Sequence, residues 1–362
     1  MHTLFEPVQY GSIATSNRFV MAPMSRNRAT EHGHATALMA TYYGQRASAG
    51  LIISEGIQPS QVGQGYMNSP GLHTLPQAKS WQQVTDSVHA QGGKIVAQLM
   101  HCGRIGHPSL YPSAHQSVAP SAITAQGKTY TPDGMKDFAP PRALTMDEIQ
   151  STISDYVQAA RYAIEGGFDG VEIHAGNGFL PHQFLANNTN QRQDCYGGSI
   201  ENRTRFTLEI VAAVSDAIGA DRVGLRISPH NTFNDIAETD SEQLYSALIQ
   251  ALPTNLAYLH IMEAASRATS DAIRQVWKGA LILNPHNRWE DGPVTPAIAD
   301  KVLQQDLCDG VSLGALFVAN PDLVERVRQN APLNEMDDST LYGGDAKGYT
   351  DYPTLNEVAQ AV

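Results

Sequence analysis

Eight short apolar runs punctuate the chain: Phe19–Met21, Leu51–Ile53, Ile95–Ala97, Val171–Ile173, Val223–Ile227, Tyr258–Ile261, Leu281–Leu283 and Val311–Leu313. Runs this short fit a buried strand or a buried helical segment equally well. The segments between them decide the matter. Thr145-Met146-Asp147-Glu148 is a capping box that opens an amphipathic helix predicted to about Glu165, where Gly166-Gly167 stops it. Ser199 caps a helix predicted to about Ile218, and Thr239 with Glu242 forms a further box. Asn320 followed by Pro321 reads as an N-cap with proline in the first helical turn. β units separated by helices predict a parallel sheet covered on both faces. At this length the simplest closure is an α/β fold with one (β/α)8 TIM barrel over residues 1–362. The long irregular stretch from Cys102 to Pro141 follows the third run. It is therefore an excursion on the C-terminal face of the barrel, where such a loop is usually functional or a lid.

Composition narrows the partners. Lys plus Arg is 24 against 36 Asp plus Glu, a net charge of −12, which argues against nucleic acid and anionic membrane as ligands. The three cysteines, Cys102, Cys195 and Cys308, are widely spaced and form no C-x-x-C, so a reducing compartment is expected rather than a disulfide scaffold or zinc ribbon. The first residues, Met1 to Pro7, carry no signal-peptide pattern, and no apolar run is long enough to span a membrane. A cytoplasmic monomer or homodimer acting on a small molecule is the expectation. G-x-G-x-x-G after a strand, H-E-x-x-H and G-x-S-x-G are all missing. Gly127-Lys128-Thr129 lacks the first P-loop glycine, which is Ala122 here. No metal site is expected, because the thirteen histidines show no ligand spacing.

Barrel enzymes carry their working residues at the C-terminal ends of the strands. Those ends hold Ala22-Pro23-Met24-Ser25-Arg26, Ser54-Glu55-Gly56, Gln98 with His101, His174-Ala175-Gly176-Asn177-Gly178-Phe179, and Arg226. Together with Asn17–Met24, Tyr43–Glu55, His182–Leu185, Asp194–Arg203, Ala319–Leu323 and Gly348–Pro353, they make a pattern that resembles the Old Yellow Enzyme family of FMN-dependent ene reductases. The likeness is to its bacterial N-ethylmaleimide and pentaerythritol tetranitrate reductase branch, and it covers nearly the whole chain.

The resemblance implies FMN, with NAD(P)H as reductant. It implies that Pro23, Met24 and Gly56 give backbone contacts to the isoalloxazine and that Ser25 bonds its O4 edge. Gln98 then bonds the pyrimidine edge, and Arg226 sits where negative charge collects on reduction. Arg226 also reads as a member of a barrel-interior ion pair. Gly314 belongs to the phosphate loop. His174 and Asn177 match a pair of substrate hydrogen-bond donors, which hydride addition to an enone requires because charge builds on the carbonyl oxygen. Tyr66 and Tyr349 match tyrosines lining the substrate cavity, or they are buried aromatics that anchor loops.

Three departures from the family pattern stand out, the second of them at two positions. Phe179 stands where most members have the tyrosine that protonates the substrate, and it has no proton to give. Pro285 removes an N–H donor from the phosphate loop, and Gly314-Ala315 replaces Gly-Arg. Unless Arg288 or His286 substitutes, the lost charge-assisted pair costs about 1.5–3 kcal/mol. Met100 replaces a tryptophan and is expected to enlarge the pocket. Three readings follow. The first is an FMN-dependent NAD(P)H oxidoreductase reducing activated C=C bonds. The second is a flavoprotein with altered chemistry, a redox-neutral isomerase or pathway-specific reductase, motivated by Phe179. The third is a flavin-free barrel that binds a small molecule, motivated by Pro285 and Ala315.

Overall fold

The computed structural model describes residues 3–111, 113–286 and 292–360. Among them, eight parallel strands close into a barrel. They are β1 (Phe19–Met21), β2 (Leu51–Ile57), β3 (Ile95–Leu99), β4 (Gly170–Ala175), β5 (Val223–Ile227), β6 (Tyr258–Met262), β7 (Leu281–Asn284) and β8 (Gly310–Leu313). Each neighbours the next in sequence, and β8 closes on β1. Every apolar run of the sequence lies in one of these strands. The register of β2 on β3 shifts between Ile53 and Gly56. Such an irregularity re-aims side chains next to active sites, and here it falls on Ser54-Glu55-Gly56.

The helices behave as their caps predict wherever the cap is local. Thr145 and Glu148 form the reciprocal box, the helix runs Met146–Glu165, and Gly166 ends it. The Ser199 side chain caps Ile200–Ile218. Two caps turn out otherwise. Ser241–Ala251 starts after Asp240, and no side chain caps it. Thr239 instead bonds Asn187, while the Asp240 carboxylate pairs with Arg203. Asn320 ends the helix Ala315–Ala319 rather than opening one, and the next helix, Leu323–Gln329, follows Asp322. The Asn320 side chain is fully buried and ties Leu316 O to the Asn334 N–H, a tertiary bond that outcompetes local capping.

Inside, the barrel bottom is apolar. The hairpin Val8–Tyr10/Ile13–Thr15 plugs it, with Tyr10 edge-on to Tyr258 at 5.7 Å over Val20, Leu51, Ile53, Val96 and Ile282. Gly310 is required there, because a Cβ would come within 1.8 Å of the Tyr10 hydroxyl. The excursion after β3 is more ordered than its composition suggests. It contains an antiparallel hairpin, Lys128–Thr131 against Gly134–Asp137, and a short pair, Val118–Ala119 with Arg142–Ala143. In the first hairpin strand Thr129 and Thr131 are buried while Lys128 and Tyr130 are exposed, the alternation of a one-sided strand. Among the described residues, no helix is long and apolar enough to cross a membrane.

Candidate active site

A cavity of about 700 Å³ opens at the C-terminal mouth of the barrel. Pro23, Ser25, Gly56, Tyr66, Gln98, His174, Asn177, Phe179 and Arg226 all line it, so topology gathers residues spread over two hundred positions. Met24 lies behind this wall and packs on Gly314, whose added Cβ would stand 3.3 Å from the Met24 sulfur. Tyr349 does not line the cavity. It is buried, stacked on Tyr42 at 4.0 Å, with the Arg26 and Arg28 guanidiniums 5.0 and 4.3 Å from its ring. Its place is to anchor the C-terminal segment, and Tyr342 of the same segment reaches the cavity instead. Arg288 falls outside the described residues. Pro285 and His286 line a separate cavity of about 220 Å³ with Arg267 and Lys301.

The donor pair is set by backbone geometry. Asn177 takes a left-handed conformation, φ 53°, which asparagine tolerates better than most residues. Its N–H donates to Ser228 Oγ at 2.8 Å, its carbonyl accepts from Asn234, and its Oδ1 accepts from Asn231 Nδ2 at 2.9 Å. With Oδ1 engaged, the Nδ2 hydrogens are left for the cavity. Gly178 follows at φ 75°, and its N–H donates to His182 Nδ1 at 3.0 Å. His182 in turn donates from Nε2 to Glu238 at 2.9 Å. Burial works to raise the Glu238 carboxyl, but His182, Ser241 and Tyr245 outweigh it and hold it near 2. The loop carrying Asn177 is therefore braced from beneath. On β4, His174 is buried with its Nδ1 unpartnered. Burial, then Arg226, His260 and His182, push it well below the ordinary histidine range, so it is neutral at pH 7. The Phe179 ring lies 5.1 Å from the His174 ring and stands edge-on to Tyr66 at 6.4 Å. The wall beside the donors is thus hydrocarbon.

Below lies a network that motif reading missed. Gln98 Nε2 donates to Glu172 Oε1 at 2.8 Å. His260 Nδ1 bonds Glu172 Oε2 at 2.8 Å, and His260 Nε2 bonds Ser312 Oγ at 2.8 Å. Burial lowers His260, and although Glu172 works the other way, the imidazole stays below its usual range. It is therefore neutral, donating to Glu172 and accepting from Ser312. Burial alone would raise Glu172, but His260, Arg226 and Gln98 bring it below the usual carboxylate range. Register aligns Glu172 with Gln98, and Arg226 with both His174 and His260. The signal was present in sequence as Glu172 and His260 inside apolar runs, since a buried charge needs a partner.

Glu55, named among the strand ends but given no role there, is a further functional residue. It is buried at the β2 irregularity and accepts the N–H groups of Arg26 and Asn27 at 3.2 and 3.3 Å. It thereby clamps the segment that presents Ser25. Burial raises its carboxyl to about 7 despite those bonds. Next to it, the Met100 thioether lies against Gly56, where a Cβ would meet its Cε at 2.4 Å.

The donor set fits FMN. Arg226 is buried and cationic, with Nε unpartnered. Gln98 has committed its amide nitrogen to Glu172, which leaves its carbonyl for a ring N–H. Pro23 and Gly56 bring backbone to the cavity wall beside them. Among the described residues, no cluster of three or more His, Cys, Asp or Glu is arranged to hold a metal.

A parallel barrel with this mouth, a buried cation and a neutral histidine beside a braced asparagine defines a flavin oxidoreductase of the Old Yellow Enzyme type. The chain belongs to the NADH:flavin oxidoreductase / NADH oxidase family, whose model matches residues 3–334. It is 39% identical over 382 residues to a flavin oxidoreductase of Emericella nidulans, covering 98% of each chain. It is 39% identical over 370 residues to 12-oxophytodienoate reductase 1 of Oryza sativa subsp. japonica, covering 98% of this chain and 94% of the relative. Its fold matches the solved old yellow enzyme homologue from Zymomonas mobilis with a TM-score of 0.93 at 40% identity, over 98% and 100% of the two chains. The protein is an FMN-dependent enzyme that takes its electrons from a nicotinamide nucleotide.

Proposed function

We propose that the protein reduces activated C=C bonds, those conjugated to a carbonyl or similar group. His174 and Asn177 hold the carbonyl oxygen, and Pro23, Ser25, Gly56, Gln98 and Arg226 hold the flavin ring. The observation that carries this is the pair of neutral donors, a buried His174 and a half-buried Asn177 whose Oδ1 is already engaged, lining one cavity with Arg226. When bound, FMN supplies the hydride chemistry, from the nicotinamide and then to the β-carbon of the alkene. His174 and Asn177 stabilise the charge that collects on the carbonyl oxygen as the β-carbon is attacked, so they favour the transition state over the bound alkene. Arg226 offsets negative charge at the pyrimidine edge, and Glu172, His260 and Gln98 keep that edge of the site in place. The α-carbon must then take up a proton. Phe179 offers none, so the proton comes from solvent or from Tyr66 across the cavity.

Anaerobic stopped-flow spectroscopy tests the reading. NADPH or NADH should bleach the flavin, and 2-cyclohexenone should restore its colour. His174→Ala and Asn177→Ala should each slow the second step about 100-fold, the usual loss for one oxyanion donor. Phe179→Tyr should speed it if proton delivery limits. Bleaching without recovery by any electron-poor alkene would overturn the proposal.

A further inference from the structure

Among the described residues nine large apolar side chains are exposed, and four of them surround this one cavity: Tyr130, Met135, Phe233 and Tyr342, at 61, 56, 55 and 70% exposure. Apolar side chains exposed singly are ordinary, but a cluster around a concave site marks a binding surface. The four come from three separately anchored segments. Tyr130 and Met135 are cross-strand partners in the hairpin of the β3 excursion, which Thr129 ties to Gly65 O. Phe233 lies after β5, its N–H held by Asn231 Oδ1 at 2.9 Å, the same Asn231 that orients Asn177. Tyr342 sits between two bonds to Arg26: Arg26 Nε donates to Leu341 O, and the Gly343 N–H donates to Arg26 O, both at 2.9 Å. A rim anchored in this way is already formed before a ligand arrives, which lowers the ordering cost of binding.

We propose that this rim is an apolar subsite for the aliphatic tail of an amphipathic α,β-unsaturated carbonyl substrate. The inference rests on the alkene-reductase reading above. The rim and the donors share one cavity, and the wall between them is Met100, Phe179 and Tyr66. With the carbonyl at His174 and Asn177, a tail that follows this wall runs along the Met100 thioether and the Phe179 and Tyr66 rings until it meets the rim, the Tyr66 hydroxyl being bonded to Asn234. The charged side chain at the rim, Lys128, faces Asp137 across the hairpin at 3.9 Å. The subsite therefore favours an uncharged tail. Phe179 contributes directly, because a hydroxyl at that position would interrupt the apolar path.

The test is a chain-length series: trans-2-pentenal, trans-2-octenal and trans-2-decenal, reduced by the FMN-loaded enzyme. A fully buried methylene is worth about 0.8 kcal/mol, or about fourfold in affinity, and a half-exposed rim recovers about twofold. KM should therefore fall about twofold per methylene while kcat holds. In the double variant Tyr130→Ser with Met135→Ser, and separately in Phe233→Ser, the ratio of kcat/KM for octenal to pentenal should collapse by about fivefold. Inhibition by the saturated aldehydes should follow the same order. A flat series, an unchanged ratio in both variants, or an effect confined to the KM for NADPH would overturn the subsite while leaving the reductase reading intact. If no alkenal is reduced, the underlying reading fails. Equilibrium dialysis of decanol against pentanol, on the wild-type protein and the double variant, then decides the subsite by itself: preferential, variant-sensitive decanol binding supports it, and equal binding overturns it.

Discussion

The two halves of the barrel mouth are built differently. The half formed by β1 to β5 carries most of the cavity-lining candidates, and the groups beneath them are tied from strand to strand. Glu172 on β4 bonds Gln98 on β3 and His260 on β6, and Glu55 on β2 clamps the segment after β1. Among the described residues, the half formed by β7 and β8 is sparser at its loop positions. Pro285 offers no N–H, Ala315 offers no side-chain donor, and the nearby Arg267 already bonds Glu263 through two of its three guanidinium nitrogens, Nε at 2.5 Å and Nη2 at 2.7 Å. The contrast shows where substitution is cheap. A buried charged group in a shared network cannot be exchanged singly without stranding its partners. A phosphate hold is assembled from several backbone and side-chain donors, so one can be lost at modest cost.

Breaking the braced half should have the largest effect. Glu172→Ala strands His260, Gln98 and Arg226 in the barrel interior, and unfolding in urea should show a loss of about 3–5 kcal/mol. A loss below about 1 kcal/mol would mean that water or a neighbouring group replaces the carboxylate, and the brace would not be a brace.

Glu55 gives a pH-dependent version of the same test. Burial raises its carboxyl from 4.5 to about 7, so the folded state binds its proton more tightly than the unfolded state. The stability it contributes is complete below about 4.5 and is lost as pH rises through about 7. Glu55→Gln stays neutral at every pH. Relative to wild type, it should therefore gain stability between pH 4.5 and pH 7, by at most about 3 kcal/mol, and hold that gain above. Parallel denaturation curves across that range measure the difference, and a difference that does not vary with pH would remove Glu55 from the titrating groups.

The smallest change adds to the sparse half. Ala315→Arg restores a charge-assisted donor at the start of the helix Ala315–Ala319. FMN affinity, read by titrating the apoprotein, should rise about tenfold, or about 1.5 kcal/mol. No gain would show that the phosphate is already satisfied by groups elsewhere on this face.

What the sequence determined by itself was set by short spacing, wherever no tertiary bond claimed the same residues. The strands were legible because a strand buried on both faces must be apolar throughout. The Thr145 and Ser199 caps were legible because a cap is a bond to an N–H three residues along. Most of the ring-facing candidates were legible for a related reason, since a barrel puts the residue after each strand at the mouth. What only the tertiary structure decided depended on which strand lies beside which. Asn320 read as a helix start and became a tie to Asn334. Tyr349 read as either a cavity residue or a loop anchor, and only the fold decided for an anchor beside two arginines, with Tyr342 at the mouth. Glu172, His260 and Ser312 are far apart in the chain and meet only when the barrel closes. The rim gathers residues of three segments, and its exposure is visible only when everything around it is folded. In each case the deciding contact is long-range, and its energy is realised only after closure has paid the entropy of bringing distant segments together.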